Sequence, residues 1–185
     1  MSNFHENGII ILDFGSQYTQ LIARRIREQH VYSEIMSPDV SIEVVQERSP
    51  KAIILSGGPS SVYEDSSQEY DSKLFAMDIP ILGICYGLQL MAHHYNGHVE
   101  SSSHGEYGFA LINIMNSEHL FHSVSGNTQV WMSHMDRVTQ MPPGWEIMAE
   151  SSNGVVAAMG HVESKRFATQ FHPEVNHTVE GETIL

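Results

Sequence analysis

Cysteine is the scarcest reactive residue in this chain: Cys85 is the only one in 185 residues. A lone thiol excludes an intrachain disulfide framework. Cations are also few, with 9 Lys and Arg against 22 Asp and Glu and a formal charge of −13. Nucleic-acid binders need clustered Lys and Arg to neutralise phosphates. The densest cluster here is Arg24, Arg25 and Arg27 in one helical segment, which reads as a solvated helix face, with a partner surface as its other use. No apolar run approaches the roughly 20 residues of a membrane helix. The start, MSNFHENG, has neither the basic region nor the long apolar region of a signal peptide. A reducing cytoplasm is therefore the expected location.

Other signatures are missing as well. There is no HExxH, no Cys/His pairing at ligand spacing, no Walker A lysine and no GxGxxG. The 12 histidines carry no metal pattern: His94 and His98 are four apart, but Gly97 is expected to end their helix. No metal and no cofactor are expected. What the chain does have is 41% apolar and 17% charged residues, enough for one soluble globular domain over 1–185 with a substantial core.

Short apolar runs alternate with helical patterns through the first half. Strands are expected at 9–12, 31–36, 52–55 and 79–84, with helices at 16–29, 42–47, 70–77 and 86–95 and a polar loop over 56–67. Continuous apolar strands between helices imply a mostly parallel open sheet covered on both faces. The second half lacks long helices and carries β-type runs at 108–115, 129–132, 155–159 and 167–171. These are expected to extend the sheet and to form a small antiparallel β layer.

The most informative segment runs from Pro80 to Gln89. Apolar residues lead into Gly83-x-Cys85-x-Gly87, and a helical pattern follows. This is a strand-to-helix turn with a reactive residue at its apex, the arrangement of a nucleophile elbow. A helix N-terminus offers unpaired N–H groups and a positive dipole end, which favour the nucleophilic thiolate. A buried structural thiol is the alternative for an isolated Cys. A thiol nucleophile needs a base, and His172-Pro173-Glu174 ends the apolar run 167–171. Pro173 pushes His172 towards an extended conformation, where residues two apart share a side. Glu174 is thus placed to orient the His172 ring, as the acid does in a catalytic triad. The glycine loop Ser56-Gly57-Gly58-Pro59 has two readings. One is an oxyanion hole, with the Gly58 N–H joined by the N–H of Tyr86. The other is a phosphate cradle, against which Pro59 counts because it has no N–H to donate.

Together these residues resemble class I glutamine amidotransferases: a glycine-rich loop, a Gly-x-Cys-x-Gly elbow followed by Gln89, and His-Pro-Glu near the C-terminus. The resemblance covers nearly the whole chain. It extends to the segments 11–20, 130–134 and 170–175 and to the pair His177-Thr178. It implies a flavodoxin-like fold, a Cys85, His172 and Glu174 triad, and oxyanion N–H groups from Gly58 and Tyr86. It also implies substrate contacts from Gln89, Ser133, His134 and Asp136, partly through backbone. The implied reaction is hydrolysis of glutamine to glutamate and ammonia. The implied partner is an ATP-pyrophosphatase domain that uses ATP and Mg to aminate xanthosine monophosphate, with a homodimer of the full enzyme among the assemblies it allows. On this reading the chain is one domain of a longer polypeptide. It departs from the family pattern at Met135, where Gly is frequent, and a position needing positive φ would strain Met. Two other functions share these features: a self-sufficient γ-glutamyl hydrolase or cysteine peptidase on the same fold, and a non-catalytic regulatory module.

Overall fold

The computed structural model describes residues 7–64, 69–124 and 126–185, without the side chains of residues 103 and 104. Residues 65–67 of the expected loop and the first six residues of the N-terminal stretch lie outside the described residues. Among the described residues nine strands form one sheet: β1 (Ile9–Leu12), β2 (Ser33–Met36), β3 (Ala52–Leu55), β4 (Ile81–Ile84), β5 (His98–Ile114), β6 (Asn127–Gln140), β7 (Glu146–Ser151), β8 (Val156–His161) and β9 (Arg166–Thr169), in the order β2-β1-β3-β4-β9-β8-β7-β5-β6. The five strands from β2 to β9 in that order are parallel, and the rest pair antiparallel. The expected antiparallel strands are hydrogen-bonded edge to edge onto the parallel half, because β8 pairs with β9.

The parallel strands are short and apolar at successive positions because both of their faces are covered. Ile10, Leu12, Ile53, Leu55 and Ile81 meet the helices α2 (Ile42–Glu47) and α3 (Tyr86–His94) on one face. Ile11, Ile54 and Ile84 meet α1 (Thr19–Glu28) on the other, through Ile22, Ala23 and Ile26. A third cluster, with Ile112, Phe121, Met132, Met148 and Phe171, lies against the antiparallel half. No helix among the described residues is long and apolar enough to cross a membrane.

The expected strands at 9–12 and 52–55 and the helix at 42–47 form with those bounds. The helix expected from 16 begins at Thr19, because residues 13–18 form a loop. There Asp13 Oδ1 accepts from Gly15 N (3.0 Å) and Thr19 Oγ1 (2.7 Å), and Gly15 adopts φ 89°. The helix expected at 70–77 is a 3-10 turn over Ser72–Ala76, with Asp71 accepting from Lys73 N at 3.0 Å. β7 and the polar first half of β5 were not expected as strands; β5 extends to 17 residues because β6 supplies a ladder along its length. A 3-10 turn over His119–Phe121 and a four-residue helical turn, α4 (Gly181–Ile184), complete the described elements.

One buried cation ties the sheet's lower end together. Arg166 is 3% exposed. Its guanidinium donates to the carbonyls of Ile79 (2.7 Å), Ser164 (2.6 Å), Phe75 (2.9 Å) and Met77 (2.7 Å), and to Tyr95 Oη (3.3 Å). Arg166→Met leaves those carbonyls without their donor, so a loss of at least about 3 kcal/mol is expected in urea unfolding; a loss below about 1 kcal/mol would show that the carbonyls find water instead.

Candidate active site

The strand order reverses between β1 and β3, and open α/β sheets bind ligands beyond the carboxyl ends of their strands at such a point. Four loops meet there. They follow β1 (residues 13–18), β3 (residues 56–61), β4 (Cys85) and β9 (residues 170–174). With residues 133–136 of β6 they line a cavity of about 740 Å³ that includes Tyr18, Gly58, Cys85, Gln89, Asp136 and His172.

Cys85 separates β4 from α3 and adopts φ 55°, ψ −102°. That conformation is strained for a residue with a Cβ. It is held by Cys85 N donating to Thr169 O at 2.7 Å. The flanking glycines are sterically required: a Cβ on Gly83 would stand 2.6 Å from the Gly87 carbonyl carbon, and one on Gly87 would stand 2.5 Å from Leu55 O. Seven of the nine residues of α3 are buried, so the helix cannot tilt to relieve the turn. The thiol thus projects from a fixed point, with Sγ 3.6 Å from Ser133 O.

His172 and Glu174 come together as their spacing predicts. Nδ1 lies 2.7 Å from Glu174 Oε1, and both side chains are at most 5% exposed. Burial opposes a charge on His172, but hydrogen bonds to Cys85 and Glu174 and the charges of both outweigh it and push the imidazole from 6.5 up to about 10. The turn carrying the pair is tied from three sides. His172 N donates to Trp131 O (3.0 Å), Thr178 Oγ1 donates to His172 O (2.6 Å), and Arg25 Nε donates to Glu174 O (3.0 Å). Thr178 also accepts from Trp131 N (3.1 Å). Tyr18 packs edge-on against the His172 ring, with centroids 5.0 Å apart.

The remaining expected residues distribute unevenly. Gly58 lines the cavity, and a Cβ there would stand 2.5 Å from Phe14 O. Its lack of a side chain therefore serves backbone packing as well as access. Tyr86 opens α3, where the first N–H groups have no intrahelical acceptor, while its ring is buried against Phe14 (centroids 5.4 Å apart). Gln89, Ser133, His134 and Asp136 all line the cavity. The His134 ring, however, is fully engaged: its side chain is 2% exposed, with Nδ1 2.9 Å from Asp136 O and Nε2 3.1 Å from Glu106 Oε2. What His134 offers a ligand is backbone. Met135 lies in β6 and is absent from the positive-φ residues, so the expected strain does not arise.

Sequence reasoning missed the supporting residues. Arg24 is solvated as expected, but Arg25 and Arg27 bond to the carbonyls of Glu174 and Ser33. Glu106, Ser151, Asn153 and Gln170 carried no individual signal, because their partners lie tens of residues away. Glu106 accepts from His134, from Ser151 Oγ (2.8 Å) and from Asn153 Nδ2 (2.7 Å). The hydrogen bond from His134 is the largest cause, and against the cost of burial these donors hold the carboxyl at about 2, down from 4.5. A depressed carboxyl stabilises the fold above its unfolded value and loses that contribution as pH falls through the folded one. Glu106 is therefore expected to contribute up to about 3 kcal/mol near neutrality, lost between pH 4.5 and 2. Denaturant midpoints measured across that range should fall more steeply for the native chain than for Glu106→Gln. Equal slopes would remove the buried bridge from the acid response.

The glutamine amidotransferase class-I family model matches residues 10–185. The chain is 51% identical over 177 residues to GMP synthase [glutamine-hydrolyzing] of Campylobacter lari, covering 96% of this chain and 35% of that protein. It is 49% identical to the protein of the same name from Thermobifida fusca, covering 96% and 34%. It thus spans about a third of the length of these curated relatives. Among solved structures, a putative GMP synthase subunit from Thermoplasma acidophilum superposes with a TM-score of 0.88 at 30% identity, over 97% of this chain and 90% of that one. A glutamine amidotransferase from Thermotoga maritima shares the fold, with a TM-score of 0.72 at 20% identity over 92% and 77% of the two chains.

Proposed function

The chain belongs to the class I glutamine amidotransferase family, and from that premise we propose that it hydrolyses glutamine through Cys85, His172 and Glu174 and passes the ammonia to a GMP synthase-type synthetase partner. The observation that carries the reading is the meeting, in one cavity, of a thiol on a strained elbow with an imidazole whose other nitrogen is held at 2.7 Å by a buried carboxylate.

In the resting site the Cys85 proton already sits on His172, and the thiolate attacks the side-chain amide carbon of glutamine. The N–H groups of Gly58 and Tyr86 take the charge that develops on the carbonyl oxygen. His172, resting as the imidazolium because its pKa is raised to about 10, protonates the departing nitrogen. Ammonia leaves and a γ-glutamyl thioester remains. Acylation removes the contribution of the sulfur to that raised pKa, so the imidazole becomes a competent base for the water that releases glutamate and restores the thiolate. Gln89 and the backbone of Ser133, His134 and Asp136 are suited to hold the amino-acid end of the substrate. This chain supplies the whole hydrolysis without a cofactor; ATP and Mg act in the partner, where xanthosine monophosphate is aminated. The partner is supported by the GMP synthase names of relatives nearly three times as long. A cytoplasmic setting fits a single unpaired thiol.

A diazo- or chloro-ketone analogue of glutamine should give one covalent adduct by mass spectrometry, at Cys85, and none in Cys85→Ala. In glutaminase assays with a synthetase domain, ATP and XMP supplied, Cys85→Ala should lose at least about 10³-fold in kcat. Labelling of another residue, or activity retained in Cys85→Ala, defeats the triad. Full turnover of γ-glutamyl peptides without any partner would instead make the chain a self-sufficient hydrolase.

A further inference from the structure

Five polar groups at and beneath the cavity wall form one connected chain that ends on the nucleophile. Glu106 Oε2 lies 3.1 Å from His134 Nε2, and His134 Nδ1 lies 2.9 Å from Asp136 O. The same carbonyl accepts from Gln89 Nε2 at 3.0 Å. Gln89 Nε2 also lies 3.4 Å from Gln170 Oε1, and Gln170 Nε2 lies 3.7 Å from Cys85 Sγ. We propose that Gln170 is a second donor, beside His172, that favours the thiolate form of Cys85, and that its amide is aimed by this buried relay from Glu106 through His134, the Asp136 carbonyl and Gln89. The proposal rests on Cys85 being the nucleophile.

The orientation of both glutamine amides follows from one fixed acceptor. A backbone carbonyl only accepts, so the Gln89 nitrogen must face Asp136 O. The second hydrogen on that nitrogen then points to Gln170, which must present its oxygen there. The Gln170 nitrogen is left facing the sulfur. The opposite orientation would set two NH₂ groups against each other and an oxygen lone pair against a thiolate. Water offers no escape, since Gln170 is 0% and Gln89 4% exposed. The backbone of Gln170 is fixed as well, with its N donating to Ala157 O at 2.8 Å.

Besides His172, the sulfur has two neighbours of opposite preference. Ser133 O, 3.6 Å away, is an acceptor and bonds only the protonated thiol. Gln170 is a donor and favours the thiolate. Without Gln170 the thiolate keeps only the His172 imidazolium as a side-chain donor against that carbonyl, and a smaller share of the thiol is ionised at a given pH. Gln170 touches the reacting atom. Glu106 and His134 act through it as positioning residues, by pinning the carbonyl that orients Gln89.

The rate of Cys85 alkylation by iodoacetamide, measured against pH on the purified chain, reads the thiolate directly. The titratable groups around the sulfur are His172, Glu174, His134, Glu106, Asp136, Glu64, Tyr18 and Tyr107, and all are kept in Gln170→Met. That variant should move the midpoint up by about one pH unit and slow alkylation at pH 7 about tenfold. Glu106→Gln should move it the same way by less, and the double variant should move it no further than Gln170→Met alone. An unchanged or lowered midpoint in a Gln170→Met protein with native near-ultraviolet dichroism overturns the sulfur contact. Full additivity in the double variant overturns the relay. If Gln170→Met does not fold, Gln170→Glu keeps the shape and offers an acceptor; it should raise the midpoint further, and an unshifted midpoint there overturns the proposal. Iodoacetamide reports thiolate whatever the natural substrate is, so failure here is separate from failure of the glutamine analogue to label Cys85.

Discussion

The backbone of Cys85, at φ 55° and ψ −102°, is the constraint on which the rest of the site depends. A non-glycine residue in such a conformation costs on the order of 1–3 kcal/mol and persists only where its surroundings over-determine it. Here they do. β4 lies between β3 and β9, the Cys85 N–H is taken by Thr169 O, and Gly83 and Gly87 meet with no room for a Cβ. The strained turn lifts the sulfur off the end of the sheet and keeps α3 directly behind it. With the thiol fixed in this way, a base is useful only if it comes from a neighbouring strand end, and β9 supplies it.

That supply explains an otherwise odd topology. β9 is the last strand in sequence but lies in the middle of the sheet, parallel to β4 and antiparallel to β8. The antiparallel half is thus the route by which the chain returns to put His172 beside Cys85. It also adds groups of its own. β6 contributes the Ser133 and Asp136 carbonyls, and the bulge between Ser101 and Glu106 on β5 stands opposite Met135, in the stretch where Glu106 approaches His134. The site is a seam between the two halves of one sheet.

Several buried polar side chains of this protein hold backbone. Arg166 binds four carbonyls below the sheet, Arg25 binds the Glu174 carbonyl, and His134 binds that of Asp136. Each fixes a segment whose own backbone bonding is irregular, where sheet and helix ladders cannot reach. Glu106 differs from these in holding side chains. Its low pKa is the thermodynamic trace of three donors gathered from β6, β7 and the turn after β7.

The sequence by itself determined what depends on short range. Strands β1 and β3 and helix α2 could be read from runs and periods, because a strand covered on both faces is apolar at every position. The elbow was legible because its glycines stand two residues either side of Cys85, and the His172–Glu174 pair because extended backbone puts residues two apart on one side. Only the tertiary structure decided what depends on ladders and contacts across the sheet. The polar half of β5 became a strand because β6 lies beside it. Arg25 proved to brace the turn carrying the base rather than only line a solvated helix. Met135 escaped strain because its position in β6 keeps φ negative. In the sequence the elbow is one cysteine with a base; in three dimensions it is also the end of a relay through Gln170 and Gln89. The separations of 81 residues between those two glutamines and 85 between Gln170 and Cys85 leave no local pattern, since side-chain hydrogen bonds of that span are fixed by how strands are ordered and not by which residues are neighbours in the chain.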